Sequence, residues 1–209
     1  ALRAWGGRGA VRLLDEDPER RALLLERCSP GSALLEEEPE TVLAVLTGLL
    51  PRLWVAPPQR VTTLAAEAAG WAAGLEDEWE RSGRALPRPV LDAALQALDE
   101  LPRSQGAPVL LDQDLHAGNV LAAEREPWLV IDPKPLAGER ELGPAPVLRD
   151  VARRDPAVLV PALDRMSAEL GLDRDRVRRW TLAQSVAWGF DDGMVLPLHA
   201  QVACMLHEA

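Results

Sequence analysis

The chain has 209 residues, enough for one sizeable core, with the apolar and charged fractions of an ordinary globular protein. Its formal charge is −10, and Lys134 is the only lysine; this acidic balance argues against nucleic acid or an anionic membrane surface as partner and would suit a cationic small molecule. Cys28 and Cys204 lie too far apart for CxxC chemistry, so a reducing cytoplasm is expected, and no apolar run is long enough to span a bilayer.

Ala1 to Trp5 is amphipathic and reads as the end of a helix already under way, so further residues are expected upstream of Ala1. Gly6-Gly-Arg-Gly9 stops that helix. Ala10 to Leu14 and Arg21 to Arg27 read as two strands joined by a turn at Asp15–Glu19. Ser29-Pro-Gly-Ser32 breaks the pattern and is the expected hinge. Helical periodicity then covers Thr41 to Trp54, Val61 to Arg81 and Asp92 to Leu101.

The middle of the chain changes character. Pro108 to Leu111 is a short apolar run, and Asn119 to Ala122 and Trp128 to Ile131 form an expected hairpin about Glu124-Arg-Glu126. The stretch from Lys134 to about Pro146 reads as irregular. Helices over Pro156–Leu170, Asp173–Phe190 and Leu196–His207 close the chain. The organisation expected is a small β-rich piece, a hinge, and a mainly helical α+β domain holding one hairpin.

Polar groups crowd the ends of the two central apolar runs. Asp112, Asp114, His116 and Asn119 share one loop, and Asp132 ends the next run. Strand ends and their loops are where scaffolds present reactive groups. Asn119 and Asp132 supply hard oxygen ligands of the kind that suit Mg²⁺. Asp114 stands five positions before Asn119, the spacing at which a kinase loop places its proton-accepting Asp and its metal-holding Asn. Two plainer accounts compete: an Asp-rich turn that caps backbone groups, and a metallohydrolase cluster of Asp112, Asp114 and His116.

Gln113-Asp-Leu-His-Ala-Gly-Asn-Val-Leu121 resembles the signature of aminoglycoside phosphotransferases and choline-kinase-like enzymes. Glu126-Pro-Trp-Leu-Val-Ile-Asp-Pro-Lys134 is similar to the streptomycin 6-kinase and hydroxyurea phosphotransferase branch, as are Ala1–Leu14, Ala22–Arg27, Trp79–Gly83 and Leu170–Val177. The resemblance implies a protein-kinase-like fold, with a partial β-rich N-terminal lobe and hinge over residues 1–28 and a helical lobe over 29–209. It implies ATP against the hinge at Glu26, Arg27 and Cys28, Mg²⁺ on Asn119 and Asp132, and Asp114 as catalytic base. His116, Lys134 and Glu141 would support the loop. Asp112 stands where the family carries a scaffold His, and the family's glycine-rich loop, phosphate-binding Lys and partnering Glu would precede Ala1. The expected activity is phosphoryl transfer from ATP to a hydroxyl of a small molecule, an aminoglycoside or a hydroxyurea-like compound, by a monomer or homodimer. The competing non-enzymatic reading is a pseudokinase-like nucleotide-binding module.

Of the remaining residues, His199 and His207 read as surface or core histidines, and the Arg-rich start of the helix after Asp173 as a solvated face. Asp191-Asp-Gly193 reads as a helix end, and Trp71, Trp128 and Trp188 as core.

Overall fold

A computed structural model describes residues 1–209. The first helix, α1 (Leu2–Trp5), ends on Gly6 in the left-handed conformation that glycine adopts without a Cβ clash. Buried Trp5 donates its indole N–H to the Leu53 carbonyl 2.9 Å away. The chain then forms an antiparallel hairpin, β1 (Leu13–Asp17) with β2 (Ala22–Leu25). Asp15, Glu16 and Asp17, assigned to the turn, are therefore paired strand residues, and the turn is only Pro18 to Arg21.

Most of the expected hinge lies in a strand. β3 (Pro30–Ala33) pairs with β5 (Val120–Ala123), and β5 pairs with β6 (Trp128–Val130). Pro30 has no N–H to donate, and at the edge of this sheet it needs none. On the other edge, Val11 donates to the Val130 carbonyl and Val130 to the Gly9 carbonyl, so residues 9–11 extend the sheet in parallel. Leu2, Trp5, Ala10 and Val11 thus belong to the same core as the helical body, and of the β1–β2 hairpin Leu13 and Leu25 pack against it.

Helices α2 (Pro39–Leu53), α3 (Leu64–Arg81) and α4 (Arg88–Glu100) fall close to the periodic segments. Proline begins α2 and stands in the first turn of α4, and Thr63 caps α3 by accepting from the Ala66 N–H. β4 (Val109–Asp112) pairs antiparallel with β7 (Pro135–Gly138), which lies in the stretch expected to be irregular. β7 packs so closely on α3 that a Cβ on Gly138 would stand 2.7 Å from the Leu64 Cβ, which excludes any larger residue without a shift.

α5 (Pro144–Arg154) is a second departure, masked in the sequence by two prolines that sit in its first turn, where a missing N–H does no harm. α6 (Leu159–Leu170), α7 (Arg174–Ala187) and α8 (Pro197–Glu208) complete the body. α7 is its axis and packs on α4, α5, α6 and α8. Asp191-Asp-Gly193 does not end a helix. It turns a short hairpin of β8 (Phe190–Asp191) and β9 (Met194–Val195), with Asp192 at φ 46 and Gly193 at φ 76, the two positive angles that a tight hairpin requires.

Candidate active site

The loop from Asp112 to Asn119 leaves the C-terminal end of β4, and the segment from Ile131 to Lys134 runs between β6 and β7. Because β7 pairs with β4, the two segments meet. The Asp112 carboxylate is the fastener: its Oδ1 accepts from the backbone N–H groups of Asp114 and Lys134, each at 3.0 Å, and Gln113 donates to the Lys134 carbonyl. Asp112 is 4 % exposed, and its Oδ2 has no partner. Burial pushes its carboxyl up to about 7, against the opposing pull of the two backbone donors. A residue so used is scaffold.

Asp114 is half-buried, and its two carboxylate oxygens have different surroundings. Lys134 donates from Nζ to Oδ2 at 2.6 Å. Oδ1 lies 3.9 Å from His116 Nε2, beyond a direct hydrogen bond, and remains free to receive a hydroxyl. His116 accepts from the Gly118 N–H through Nδ1, so its ring proton sits on Nε2, on the side of Asp114. Asn119 donates from Nδ2 to the Asp114 carbonyl at 3.2 Å, leaving Oδ1 as an acceptor, and its own carbonyl accepts from the Ile131 N–H. That bond sets Asn119 beside the strand end that carries Asp132. Asp132 is exposed, in the left-handed conformation at φ 48.

Asn119 and Asp132 therefore present two hard oxygens across one strand pair, a donor set that fits Mg²⁺ with the remaining positions supplied by phosphate and water. No cluster of three or more His, Cys, Asp or Glu side chains forms a metal cage by itself. Asp112, Asp114 and His116 in particular do not converge: Asp112 faces into the loop backbone, and His116 spends Nδ1 on Gly118. That geometry removes the metallohydrolase arrangement.

A cleft of about 600 Å³ opens beside Asp132, walled by Leu2, Leu13, Glu16, Leu25 and Ile131. None of the residues expected to hold a nucleotide, Glu26, Arg27 and Cys28, lines it; their neighbour Leu25 does. The Glu26 side chain turns away to Arg125, at 2.7 and 2.9 Å, and accepts from the Arg12 N–H. The Glu26 carboxyl is held below its usual range by that guanidinium. Arg125 also donates to the carbonyls of Gly7 and Ala10, so it ties the N-terminal segment to the β5–β6 turn. Arg27 is exposed, and Cys28 is half-buried against the core, its thiol raised by burial.

On the other side of Asp114 is a smaller cavity of about 280 Å³, which sequence reasoning missed because its wall comes from α5 and α8. Asp150, on α5, accepts from the Ala117 N–H at 2.8 Å and so braces the loop from below. Arg149 is 6 % exposed, donates to Gln184 at 2.8 Å, and lies 5.1 Å over the Trp188 ring. Burial lowers it to about 10. Lys134 lies 5.7 Å over the same ring. Trp188 is therefore a half-buried platform for two cations and not core. His199, assigned above to surface or core, lines this cavity; burial and the two nearby arginines lower it to about 4.

Glu141 is half-buried in the turn before α5. The deeply buried acid of this stretch is its neighbour Glu139, bonded to Arg176 at 2.7 and 2.9 Å, to the Trp180 indole and to the Gly106 N–H. The Arg-rich start of α7 is thus partly structural, since Arg176 is an internal ion-pair partner.

The model of the aminoglycoside/hydroxyurea antibiotic resistance kinase family matches residues 1–193. A hydroxyurea phosphotransferase of Kitasatospora aureofaciens is 42% identical over 210 residues, covering 97% of this chain and 61% of that protein. A streptomycin 6-kinase of Streptomyces glaucescens is 40% identical over 206 residues, covering 92% of this chain and 66% of that protein. The chain thus spans 61% and 66% of the length of these two relatives. Among solved structures, a choline kinase of Streptococcus pneumoniae superimposes with a TM-score of 0.65 at 11% identity, covering 96% of this chain and 75% of that one. An aminoglycoside phosphotransferase in ternary complex with ADP and hygromycin B gives 0.62 at 14% identity, covering 99% and 80%. At such identities the structural likeness shows the fold, which is that of the protein-kinase-like phosphotransferases. With its signature loop, its β4–β7 fastening and a family match over residues 1–193, the chain belongs to the aminoglycoside/hydroxyurea antibiotic resistance kinase family.

Proposed function

We propose that this chain is the catalytic body of an ATP-dependent phosphotransferase that acts on a hydroxyl of a small molecule, an aminoglycoside such as streptomycin or a hydroxyurea-like compound. The observation that carries the reading is Asp114, with one carboxylate oxygen fixed by Lys134 and the other open, on a loop whose backbone is clamped by Asp112 and Asp150. In-line positioning of this kind is most of what phosphoryl transfer asks of a protein.

In this reading the nucleotide occupies the cleft beside Asp132, with its base toward the backbone of residues 26–28. Asn119 Oδ1 and Asp132 hold Mg²⁺, which neutralises charge on the phosphates when bound. Asp114 Oδ1 accepts the hydrogen bond of the acceptor hydroxyl, aims its lone pair, and receives its proton as transfer proceeds. The nucleotide side of the division near residue 28 is the β1–β2 hairpin with its link to β3. Cytoplasmic location fits this use of ATP, and no helix is long and apolar enough to cross a membrane. The partner is the small-molecule acceptor, with the protein a monomer or homodimer.

The test combines binding with turnover. With the full-length protein, calorimetry should give Mg-dependent ATP binding that weakens at least ~10-fold in Asp132→Ala, and labelled phosphate should pass from ATP to streptomycin or hydroxyurea. ATP binding without transfer to any hydroxyl acceptor would move the protein to the nucleotide-binding module; equal affinity in wild type and variant would remove Asp132 as a metal ligand.

A further inference from the structure

The chain carries a net charge of −10, yet the cavity beside Asp114 has the opposite sign. Its walls hold Lys134, Arg149 and Arg153 against Asp114 and Asp150. Both acids are already engaged, Asp114 by Lys134 and Asp150 by the Ala117 N–H. Arg149 is the unusual member. It is buried, its hydrogen-bond partner is the neutral amide of Gln184, and its nearby counter-charge is Asp114, acting at a distance and without a direct ion pair. A buried guanidinium is unfavourable unless a counter-charge or strong acceptors meet it. Trp188 packs its ring against the guanidinium, and both residues line the cavity, where an acceptor can reach the remaining N–H donors. The volume, about 280 Å³, lies just under the range of ~300–1,000 Å³ typical of drug-sized ligands.

From these features, and resting on the acceptor role given to Asp114 above, we infer that Arg149 is an acceptor-binding residue: it grips a carbonyl or carboxylate oxygen of a small hydroxylated compound and selects such compounds over polycations. The planar fork of Arg149 matches two lone pairs of an sp² oxygen group, and Asp114 is placed to take the neighbouring hydroxyl. A polycationic sugar would bring its charges against Lys134, Arg149 and Arg153 with no free carboxylate but Asp114, a repulsion that low local dielectric strengthens.

The test reads binding without nucleotide, so it stands apart from turnover. Three probes are titrated into the protein: glycerate (anionic), hydroxyurea (neutral) and streptomycin (polycationic). The ring signals of His116, His199 and His207 are followed by NMR. His116 and His199 line the cavity, and His207 lies elsewhere. Glycerate or hydroxyurea should shift the first two in a saturable way and leave His207 still, and streptomycin should bind at least ~10-fold more weakly. Arg149→Met should weaken the small probe at least ~10-fold, with Arg149→Lys between. Arg153 is exposed, so Arg153→Glu keeps the test open if the Arg149 variants do not fold; it should weaken glycerate more than hydroxyurea and narrow the gap to streptomycin. Streptomycin binding more tightly than both small probes, no shift with either of them, or unchanged affinity in Arg149→Met would overturn the assignment. A protein that binds the small probes through Arg149 but transfers no phosphate would overturn the kinase reading alone.

Discussion

Lys134, the only lysine of the chain, donates from Nζ to Asp114 while its own backbone N–H rests on Asp112. One residue thus joins the side chain proposed to react to the side chain that holds the loop. The two ends of the site are fastened by a single carboxylate oxygen shared between two amides.

Asp114→Asn keeps the size and the packing but removes the proton acceptor. We expect kcat to fall at least ~10²-fold, as for the loss of a general base, with Mg-ATP affinity nearly unchanged because Asn119 and Asp132 remain. Steady-state kinetics together with calorimetry decide it, and near-normal kcat would refute the proposed role.

Asp112 gives a prediction in pH. Its folded carboxyl titrates near 7 and its unfolded one near 3.8, so between those values the folded chain binds a proton that the unfolded chain has released. Stability from this residue is therefore greatest at low pH, declines as pH rises through the window, and is level above about 7. Asp112→Asn keeps an oxygen for both amides and removes the buried charge. Relative to wild type it should flatten that slope and gain about 1–3 kcal/mol at pH 8 by urea unfolding. Its effect on kcat should be far smaller than that of Asp114→Asn.

Glu139 anchors three donors from the buried side of α7 and the loop before β4. Glu139→Ala strands Arg176 and the Trp180 indole, and we expect a loss of about 3–5 kcal/mol. Glu139→Gln, which retains acceptors, should lose less. Denaturant unfolding of the two variants provides the comparison.

Arg125 joins Gly7, Ala10 and Glu26 to the turn after β5. In Arg125→Ala, amide exchange should quicken over residues 7–26 more than in α5 or α7, with a loss of about 1–3 kcal/mol. Uniform acceleration across the chain would mean that the tether is not local.

The signature loop was legible because its chemistry is carried by residue types at fixed spacing: Asp114 to Asn119 in one loop, Asp132 at the next strand end. The long helices were legible by period. What was not legible depends on pairing between distant segments. β7 has no alternation to mark it, and becomes a strand because β4 offers it a ladder. Pro30 and Gly31 punctuate locally and hide β3, which becomes a strand because β5 offers it an edge. α5 was hidden by Pro144 and Pro146, and with it went Arg149 and Asp150. Nothing in the residue types or spacing of Trp188 and His199 marks them, and only the meeting of α5, α7 and α8 gives them a cavity to line.

The side chains that clamp the loop and those that wall the small cavity overlap only at Asp150. Asp112, Asp150 and the β4–β7 ladder hold the loop, whereas Arg149, Arg153, Trp188 and His199 surround what enters beside it. Mutation can therefore rewrite the wall while the clamp is inherited intact. A lineage built this way can change the compound it recognises by a few steps on α5 and α8 without passing through forms that have lost the loop.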